Sequence, residues 1–185
     1  ARLDDAAMKR SLARVDLAPT VFPQRIAALI RETDEPIEGV GNWLRAMRFS
    51  NPDRERVLLL VSERDLPLTA EMSGPERRRA LKRFSPDGLF ALLDLASADA
   101  HVRGVPDVAA ALAPIFESDL DRGIALSTKD LAVTGHDLMT ELTMPPSREL
   151  GTLMEALLEL VLEDPSLNDR ATLLARARAL RGGST

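Results

Sequence analysis

Residues 147–162 read SRELGTLMEALLELVL, and this stretch decides the fold class of the chain. Its apolar side chains recur at intervals of three and four residues, the spacing that places them along one side of an α-helix. The members of this apolar stripe are Leu150, Leu153, Met154, Leu157, Leu158 and Val161. Glutamates occupy several of the other positions, so the stretch predicts an amphipathic helix that buries one face.

Four places earlier in the chain carry a proline followed by an acidic residue, which is typical of a helix start. They are Asn51-Pro52-Asp53, Gly74-Pro75-Glu76, Ser85-Pro86-Asp87 and Val105-Pro106-Asp107. Proline is tolerated in the first turn because the N–H that it lacks would have no partner there. The acid interacts favourably with the positive end of the helix dipole. No alternating stretch flanked by Asn-Gly or Asp-Gly indicates a hairpin, so the sequence predicts an all-α fold.

The predicted helices form a multi-helix body followed by a smaller helical tail. They lie near residues 23–33, 37–49, 52–64, 75–84, 86–100, 106–117, 135–142, 147–162 and 168–181. Acidic residues and glycine interrupt the apolar stripes between 117 and 129, which favours a domain boundary there. We therefore expect an arm or broken helix at 1–20, a body domain at 21–117, a tail domain at 118–181 and a disordered end at 182–185.

The composition limits the kinds of protein that this chain can be. Of its 185 residues 45% are hydrophobic but only 3% are aromatic, so the core must be built from aliphatic side chains. Cysteine is absent, which excludes disulfides and thiolate metal sites and is compatible with a cytoplasmic location. No stretch approaches about eighteen consecutive apolar residues, so we expect no membrane partner. The net charge of −5 is unusual for a nucleic-acid binder, and any RNA contact would have to use local basic clusters.

Residues 129–178 contain an apolar-Gly-x-Asp-Leu turn, a proline-rich helix start and a final Asn-x-x-x-x-Leu-Leu helix. The residues concerned are Val133, Gly135, Asp137 and Leu138, then Pro146, Leu150 and Gly151, and finally Asp164, Pro165, Asn168, Leu173 and Leu174. In order and spacing this segment resembles the C-terminal part of bacterial tRNA nucleotidyltransferases, the CCA-adding enzymes and their poly(A) polymerase relatives. A weaker likeness extends back to Pro23. The resemblance implies a body and tail region that binds and positions tRNA during tRNA processing, while the chemistry takes place elsewhere.

The catalytic head of that family is missing from this sequence. Its signature is a Gly-Gly-x-x-Arg-Asp turn followed by a paired Asp-x-Asp, because phosphoryl transfer needs metal ions on the reacting oxygens. The pair Asp119-Leu120-Asp121 has no strand context and is predicted to lie in an acidic loop between helices. We expect no catalytic residue and no cofactor in this chain, since Mg²⁺ would belong to the absent head. The start at Ala1 rather than Met fits a fragment, a processed chain or missing leading residues, and for a fragment the upstream head would be a partner.

The pair His136-Asp137 is the one place that invites a metal-site interpretation. A His-Asp metal site needs further ligands, and the only other histidine is His101. Some relatives carry such a site in the body, but the corresponding segment here reads Leu29-Ile30-Arg31-Glu32 and cannot reproduce it. We therefore expect no metal site, and we predict that Asp137 caps the following helix.

A run of cations at 77–83 is the first candidate RNA contact. It contains Arg77, Arg78, Arg79, Lys82 and Arg83. Like charges four residues apart destabilise a helix slightly, and a phosphate partner would relieve that repulsion. The alternative is a solvated face screened by nearby acids, and the sequence leaves both open.

Two further basic sets and one aromatic residue complete the candidates. The helix start at Pro145-Pro146-Ser147-Arg148 offers free N–H groups, the helix dipole and Arg148 to an anion, with a plain capped helix as the alternative. The last helix carries a diffuse set that either binds RNA or pairs with Glu155, Glu159 and Glu163. That set is Arg170, Arg176, Arg178 and Arg181. Trp43, the single tryptophan, is predicted to anchor the core between helices rather than to stack on a base.

Two functions therefore fit the sequence. The first is tRNA binding and positioning by the body and tail of a tRNA nucleotidyltransferase-like protein, which an upstream head would make part of an enzyme acting on tRNA 3′ ends. The alternative is a stand-alone acidic helical interaction domain that does not bind RNA.

Overall fold

The computed structural model describes residues 4–182, which are 72% helical and contain no strand. This confirms the predicted all-α fold. Ten α-helices follow one another in this part of the chain: α1 (Asp5–Leu17), α2 (Phe22–Ile30), α3 (Ile37–Ala46), α4 (Asn51–Ser62), α5 (Gly74–Phe84), α6 (Pro86–Arg103), α7 (Val108–Asp121), α8 (Gly135–Leu142), α9 (Arg148–Glu163) and α10 (Arg170–Gly182). Short 3₁₀ turns at Thr128–Asp130 and Pro165–Leu167 precede α8 and α10. Within residues 4–182 no helix is both long enough and apolar enough to cross a bilayer.

The chain divides into two compact units. The first comprises residues 1–71 and 84–115, and the second comprises residues 72–83 and 116–185. Most of α5 therefore belongs to the second unit, although it lies within the body segment expected from the sequence. The division into a body domain at 21–117 and a tail domain at 118–181 stays a prediction.

Helix α1 occupies most of the segment for which the sequence predicts an arm or broken helix. The helix is continuous over 13 residues, and the Asp4 carboxylate caps it by accepting the Ala7 N–H at 2.6 Å. Its buried face consists of Ala7, Ser11 and Arg14. No large apolar side chain marks this face, so hydrophobic periodicity does not detect the helix.

The four proline-acid segments all begin helices, namely α4, α5, α6 and α7. The Ser50 hydroxyl caps α4 by accepting the Asp53 N–H at 3.3 Å. At the start of α7 the Asp107 carboxylate accepts the Ala110 N–H at 2.9 Å. The pattern thus locates these starts to within about two residues, because it marks the groups that satisfy the first N–H groups of each helix.

The core of the first unit is aliphatic, as the composition requires. Helix α2 packs on α1 and α4, and α4 also packs on α3 and α6. Fully buried residues of these helices include Ala27, Ala28, Leu44, Val57, Leu60, Leu89 and Leu95. The two alanines lie in α2, where their small side chains allow neighbouring helices to approach closely.

The core of the second unit forms around the apolar stripe of α9. Leu157, Leu158 and Val161 are at most 1% exposed, and they share one cluster with Leu173 and Ala177 of α10. Helix α9 also packs on α8. The predicted packing of the 147–162 helix against the last helix is confirmed.

Asn168 joins the segment before α10 to the segment before α8. Its Oδ1 accepts the Ala132 N–H at 2.8 Å, and its Nδ2 donates to the Asp130 carbonyl at 3.0 Å. Both halves of the amide are therefore used to fix a loop whose backbone groups have no helical partners. At the other end of α10, Gly182 is the last helical residue, and the disordered end expected at 182–185 stays a prediction. Residues 183–185 of that prediction lie outside the described residues.

Candidate nucleic-acid interface

The first cation of the basic helix α5, Arg77, makes a shielded ion pair within the second unit. Its Nε donates to Oδ2 of Asp119 at 2.7 Å, and its Nη1 donates to the Met72 carbonyl at 2.7 Å. Asp119 is only 3% exposed and belongs to α7. The prediction of an acidic interhelix loop at 119–121 is therefore wrong, since Asp119 faces inward as the counterion of a basic residue distant in sequence.

Arg78 binds the end of helix α9. Its Nε donates to the Leu162 carbonyl at 2.6 Å, and its Nη2 donates to the Glu163 carbonyl at 2.8 Å. The last carbonyls of a helix have no partner within the helix and carry the negative end of its dipole. A guanidinium at this position satisfies both needs, so Arg78 contributes to the structure of this unit.

Arg79 and Lys82 face a row of glutamates on α9. Arg79 contacts Glu159 at 3.2 Å and Glu163 at 2.8 Å, while Lys82 contacts Glu155 at 3.0 Å and Glu159 at 2.9 Å. Burial lowers the pKa of the Lys82 ammonium, but the hydrogen bonds to Glu159 and Glu155 outweigh it, so that pKa lies above its ordinary value. The hydrogen bond from Lys82 likewise holds the pKa of Glu159 below its ordinary range.

The like charges on α5 are thus relieved by counterions of the chain itself. Arg77, Arg78, Arg79 and Lys82 all have protein partners, and Arg83 also takes part in an interaction within the chain. Contact of these five residues with RNA stays a prediction. Any such contact would compete with, or add to, the ion pairs already present.

Arg148, the remaining predicted contact, lies in a different setting. It is the first residue of α9, it is exposed, and its side chain makes no hydrogen bond or ion pair with another described residue. The Ser147 hydroxyl caps the helix by accepting the Leu150 N–H at 3.3 Å. Arg148 shares a surface pocket with Gly135, the first residue of α8. Two helix N-termini and an unpaired cation therefore line one pocket and favour an anion there, while Glu155 in the same lining pairs with Lys82.

The arginines of α10 pair with α8 rather than with the glutamates of α9. Arg170 forms an ion pair with Asp137, and Arg178 forms one with Glu141 at 3.0 Å. Arg181 donates to the Leu142 carbonyl. The predicted alternative pairing with Glu155, Glu159 and Glu163 is wrong, because those glutamates are occupied by α5. In the described part of the chain Arg176 is exposed and has no such partner.

Asp137 takes part in the cap of α8, as the sequence predicts, but the N-cap residue is Thr134. The Thr134 hydroxyl accepts the Asp137 N–H at 3.2 Å, and the Asp137 carboxylate accepts the Thr134 N–H at 2.7 Å, which completes a capping box. Hydrogen bonds from the Thr134 hydroxyl and N–H, with the pairing to Arg170, hold the pKa of Asp137 well below its usual range. His136 is therefore part of a capped helix start, and no group of three or more His, Asp and Glu residues in 4–182 is arranged to hold a metal ion.

A charged network that sequence reasoning misses lies in the first unit. Buried Arg14 bridges Asp99 at 2.5 Å and Glu32 at 2.8 Å, and Arg31 pairs with the other oxygen of Asp99. Arg31 and Glu32 occupy the segment where some relatives carry a His-Asp metal site, and here they take part in an ion-pair network. The signal in the sequence is Asp99 itself, because a carboxylate on the apolar stripe of α6 requires a buried partner.

The single tryptophan is not a core anchor. Trp43 is 43% exposed, and Phe22 is 57% exposed. The Phe49 ring lies between them, with its centroid 5.3 Å from that of Phe22 and 6.0 Å from that of Trp43. The prediction of a buried Trp43 is wrong because Leu44, its neighbour in α3, takes the core-facing position and is fully buried.

Comparison with known proteins assigns the chain to a family. The described part of the chain is an all-α module with charged helix surfaces. A family model described as tRNA nucleotidyltransferase domain 2 matches residues 24–177, so the chain belongs to this family. The match confirms the resemblance seen in the sequence. No curated protein and no solved structure matched the chain.

Proposed function

We propose that this chain binds and positions tRNA for a tRNA nucleotidyltransferase, and that nucleotide addition takes place on a separate catalytic head. The observation that carries the proposal is the family match over residues 24–177. The substrate of that family is tRNA, and the Mg²⁺ needed for transfer would belong to the head. The proposal includes a cytoplasmic location, which the absence of cysteine supports.

The proposed phosphate contact centres on Arg148. Its guanidinium is exposed and unpaired among the described residues, and it lies at a helix N-terminus whose first N–H groups have no partner within the helix. Lys129, next in sequence to Thr128 of the same pocket, is also exposed and makes no side-chain pair within residues 4–182. Such a site recognises phosphate rather than base sequence, which suits a protein that recognises tRNA by shape.

The cations of α5 are assigned a secondary role. Glutamate partners neutralise much of the charge of these cations. The free energy gained by binding a phosphate is therefore smaller there than at Arg148. We propose that α5 first stabilises the second unit, and that RNA contact by Arg79, Lys82 or Arg83 adds to binding only where the phosphate and the glutamates can share a cation.

A salt titration of tRNA binding tests this proposal. The proteins compared are wild type, Arg148→Gln and Lys9→Gln, where Lys9 is an exposed cation of α1 without a side-chain pair in the described residues. Wild-type affinity is expected to fall as salt rises, and Arg148→Gln is expected to reduce the slope of log K against log salt by about one. Lys9→Gln is expected to leave the slope unchanged. Absence of tRNA binding at low salt would instead favour the interaction domain that does not bind RNA.

A further inference from the structure

Three of the six aromatic residues in this chain gather on the surface of the first unit. The chain has five phenylalanines and one tryptophan, and Phe22, Trp43 and Phe49 form one contiguous aromatic patch. By contrast, Phe84 and Phe116 are buried. Exposing two large aromatic rings to water has a cost in a chain with so few of them, so a partner that covers these rings is the natural reason for the patch.

Two arginines lie close to this patch in sequence, but the spacing of two residues places Arg45 on a different side of α3 from Trp43. Arg45 follows Trp43 by two residues, and Arg48 directly precedes Phe49. Both side chains are exposed, and within residues 4–182 neither makes a hydrogen bond or an ion pair. Arg77, Arg78, Arg79 and Lys82 of α5 have carboxylate or carbonyl partners, whereas these two arginines remain free to bind an anionic ligand.

The backbone at Arg48 is a second unusual feature. Helix α3 ends in a Schellman motif, in which the Phe49 N–H donates to the Leu44 carbonyl at 3.1 Å and the Arg48 N–H donates to the Arg45 carbonyl at 2.9 Å. Arg48 has φ of 60° at the position where glycine is usual. An arginine in this left-handed conformation is unfavourable by roughly 1–2 kcal/mol.

A cavity of about 340 Å³ borders Trp43 on the same surface. Its other lining residues are Ile30, Val40 and Gly39, with Thr33 and Glu35 as polar groups. This combination of an apolar wall, an aromatic ring and a polar group is typical of small-ligand pockets. It is suited to a flat heteroaromatic ring with hydrogen-bonding edges.

We propose that this aromatic patch binds unpaired nucleotides of RNA, with a base stacked on Trp43 or Phe22 and a phosphate held by Arg48. Aromatic rings combined with unpaired arginines are the means by which proteins bind single strands without reading sequence. The proposal rests on the proposed tRNA-binding function and adds to it a site for a single-stranded segment. The Arg48 guanidinium favours RNA over an apolar protein partner, because an apolar partner would leave this group without a counterion.

Trp43 provides a direct readout, since the chain has one tryptophan and no tyrosine. Intrinsic fluorescence is titrated with a short unstructured adenosine oligonucleotide and, separately, with a blunt RNA duplex that has no unpaired bases. The expected result is saturable quenching by the oligonucleotide and little quenching by the duplex. Phe22→Ala is expected to weaken oligonucleotide binding about fivefold or more. Leu17→Ala, which removes another exposed apolar side chain of the same unit, is expected to have no effect.

Three further outcomes distinguish RNA binding at the patch from self-association and from tRNA binding elsewhere on the chain. Trp43→Phe, measured by anisotropy of a labelled oligonucleotide, is expected to retain most of the affinity, whereas Trp43→Ala loses it. Quenching that appears without RNA as protein concentration rises would mean that a second copy covers the patch, which overturns the proposal. Quenching by the oligonucleotide without any tRNA binding would reject the proposed function and keep the patch. The opposite result, in which tRNA binding depends on Arg148 but patch variants change nothing, would reject the patch alone.

Discussion

Nε of the fully buried Arg14 donates to Oδ1 of Asp99 at 2.5 Å, across a separation of 85 residues in sequence. The second oxygen of Asp99 pairs with Arg31, whose side chain is also buried. One carboxylate thus holds two buried guanidinium groups. Removing it leaves buried Arg31 without a carboxylate partner and leaves Arg14 with Glu32 alone.

Asp99→Ala is therefore expected to lower the free energy of unfolding by about 3–5 kcal/mol, the usual effect of breaking a buried pair. The matched control is Asp65→Ala, which removes the same kind of side chain from an exposed pair with Arg64 at 3.6 Å. That variant is expected to cost less than about 1 kcal/mol. Urea unfolding of the three proteins measures the difference, and equal midpoints for both variants would contradict a structural role for the Asp99 network.

Glu32, the other carboxylate partner of Arg14, is expected to make the stability of the first unit fall at acid pH. Hydrogen bonds from Arg10 and then Arg14 lower the pKa of Glu32 from 4.5 to about 2, although burial acts in the opposite direction. Because the pKa is depressed in the folded state, the stabilisation is complete above the unfolded value and is lost as the pH falls from about 4.5 through about 2. Wild type is expected to lose on the order of 2 kcal/mol of unfolding free energy as the pH falls through this window, and Glu32→Gln is expected not to show this loss. Unfolding midpoints of both proteins across this pH range provide the measurement, and parallel pH profiles would show that Glu32 is not responsible.

The sequence predicts the helices that bury a stripe of apolar side chains, and it misses a helix whose buried face contains polar side chains. The stripe ending in Leu157, Leu158 and Val161 is visible because its residues are large and regularly spaced. Helix α1 is not visible in this way, because Ser11 and Arg14 occupy its buried face. Their burial depends on partners in other helices, which no local pattern contains.

The candidate site likewise contains some features that local sequence predicts and others that it does not. The local capping box of Asp137 is predictable because its partners lie three residues apart in sequence. The pairing of Arg78 with the end of α9 is not, because it joins residues that are 84 and 85 positions apart. Trp43 is misassigned for a related reason, since its apolar sequence neighbours do not reveal which side of α3 faces the core.

Leu157→Ala tests the core of the second unit. Leu157 is fully buried in the cluster between α9 and its neighbours, so its truncation is expected to cost roughly 2–5 kcal/mol. Leu12→Ala, at a leucine that is 52% exposed, is the control and is expected to change stability by less than about 1 kcal/mol. Thermal unfolding followed by circular dichroism measures both, and a near-neutral Leu157→Ala would argue against the packing described for α9.

The cations of α5 are expected to differ in their contribution to stability. Arg77→Ala leaves the carboxylate of Asp119, which is 3% exposed, with only Arg122 at 3.6 Å, and is expected to cost about 3 kcal/mol. Lys82→Ala removes pairs with the half-exposed Glu155 and Glu159 and is expected to cost about 1 kcal/mol or less. Unfolding at low and high salt measures both, and only the Lys82 effect is expected to shrink with salt. Equal losses of unfolding free energy in the two variants would mean that the buried Asp119 carboxylate does not need Arg77 as its counterion.

Arg48→Gly is expected to raise stability while it weakens RNA binding. Glycine relieves the left-handed backbone at φ of 60°, and after the larger entropy of glycine in the unfolded chain is counted the net gain is up to about 1 kcal/mol. Thr143→Gly is the matched control, since Thr143 has φ of 51° at the end of α8 and no cationic side chain. Both variants are expected to unfold at higher temperature than wild type, but only Arg48→Gly is expected to bind the unstructured oligonucleotide less tightly. If both variants gain stability and neither changes the affinity, the arginine at this position has no part in binding the nucleotides proposed for the aromatic patch.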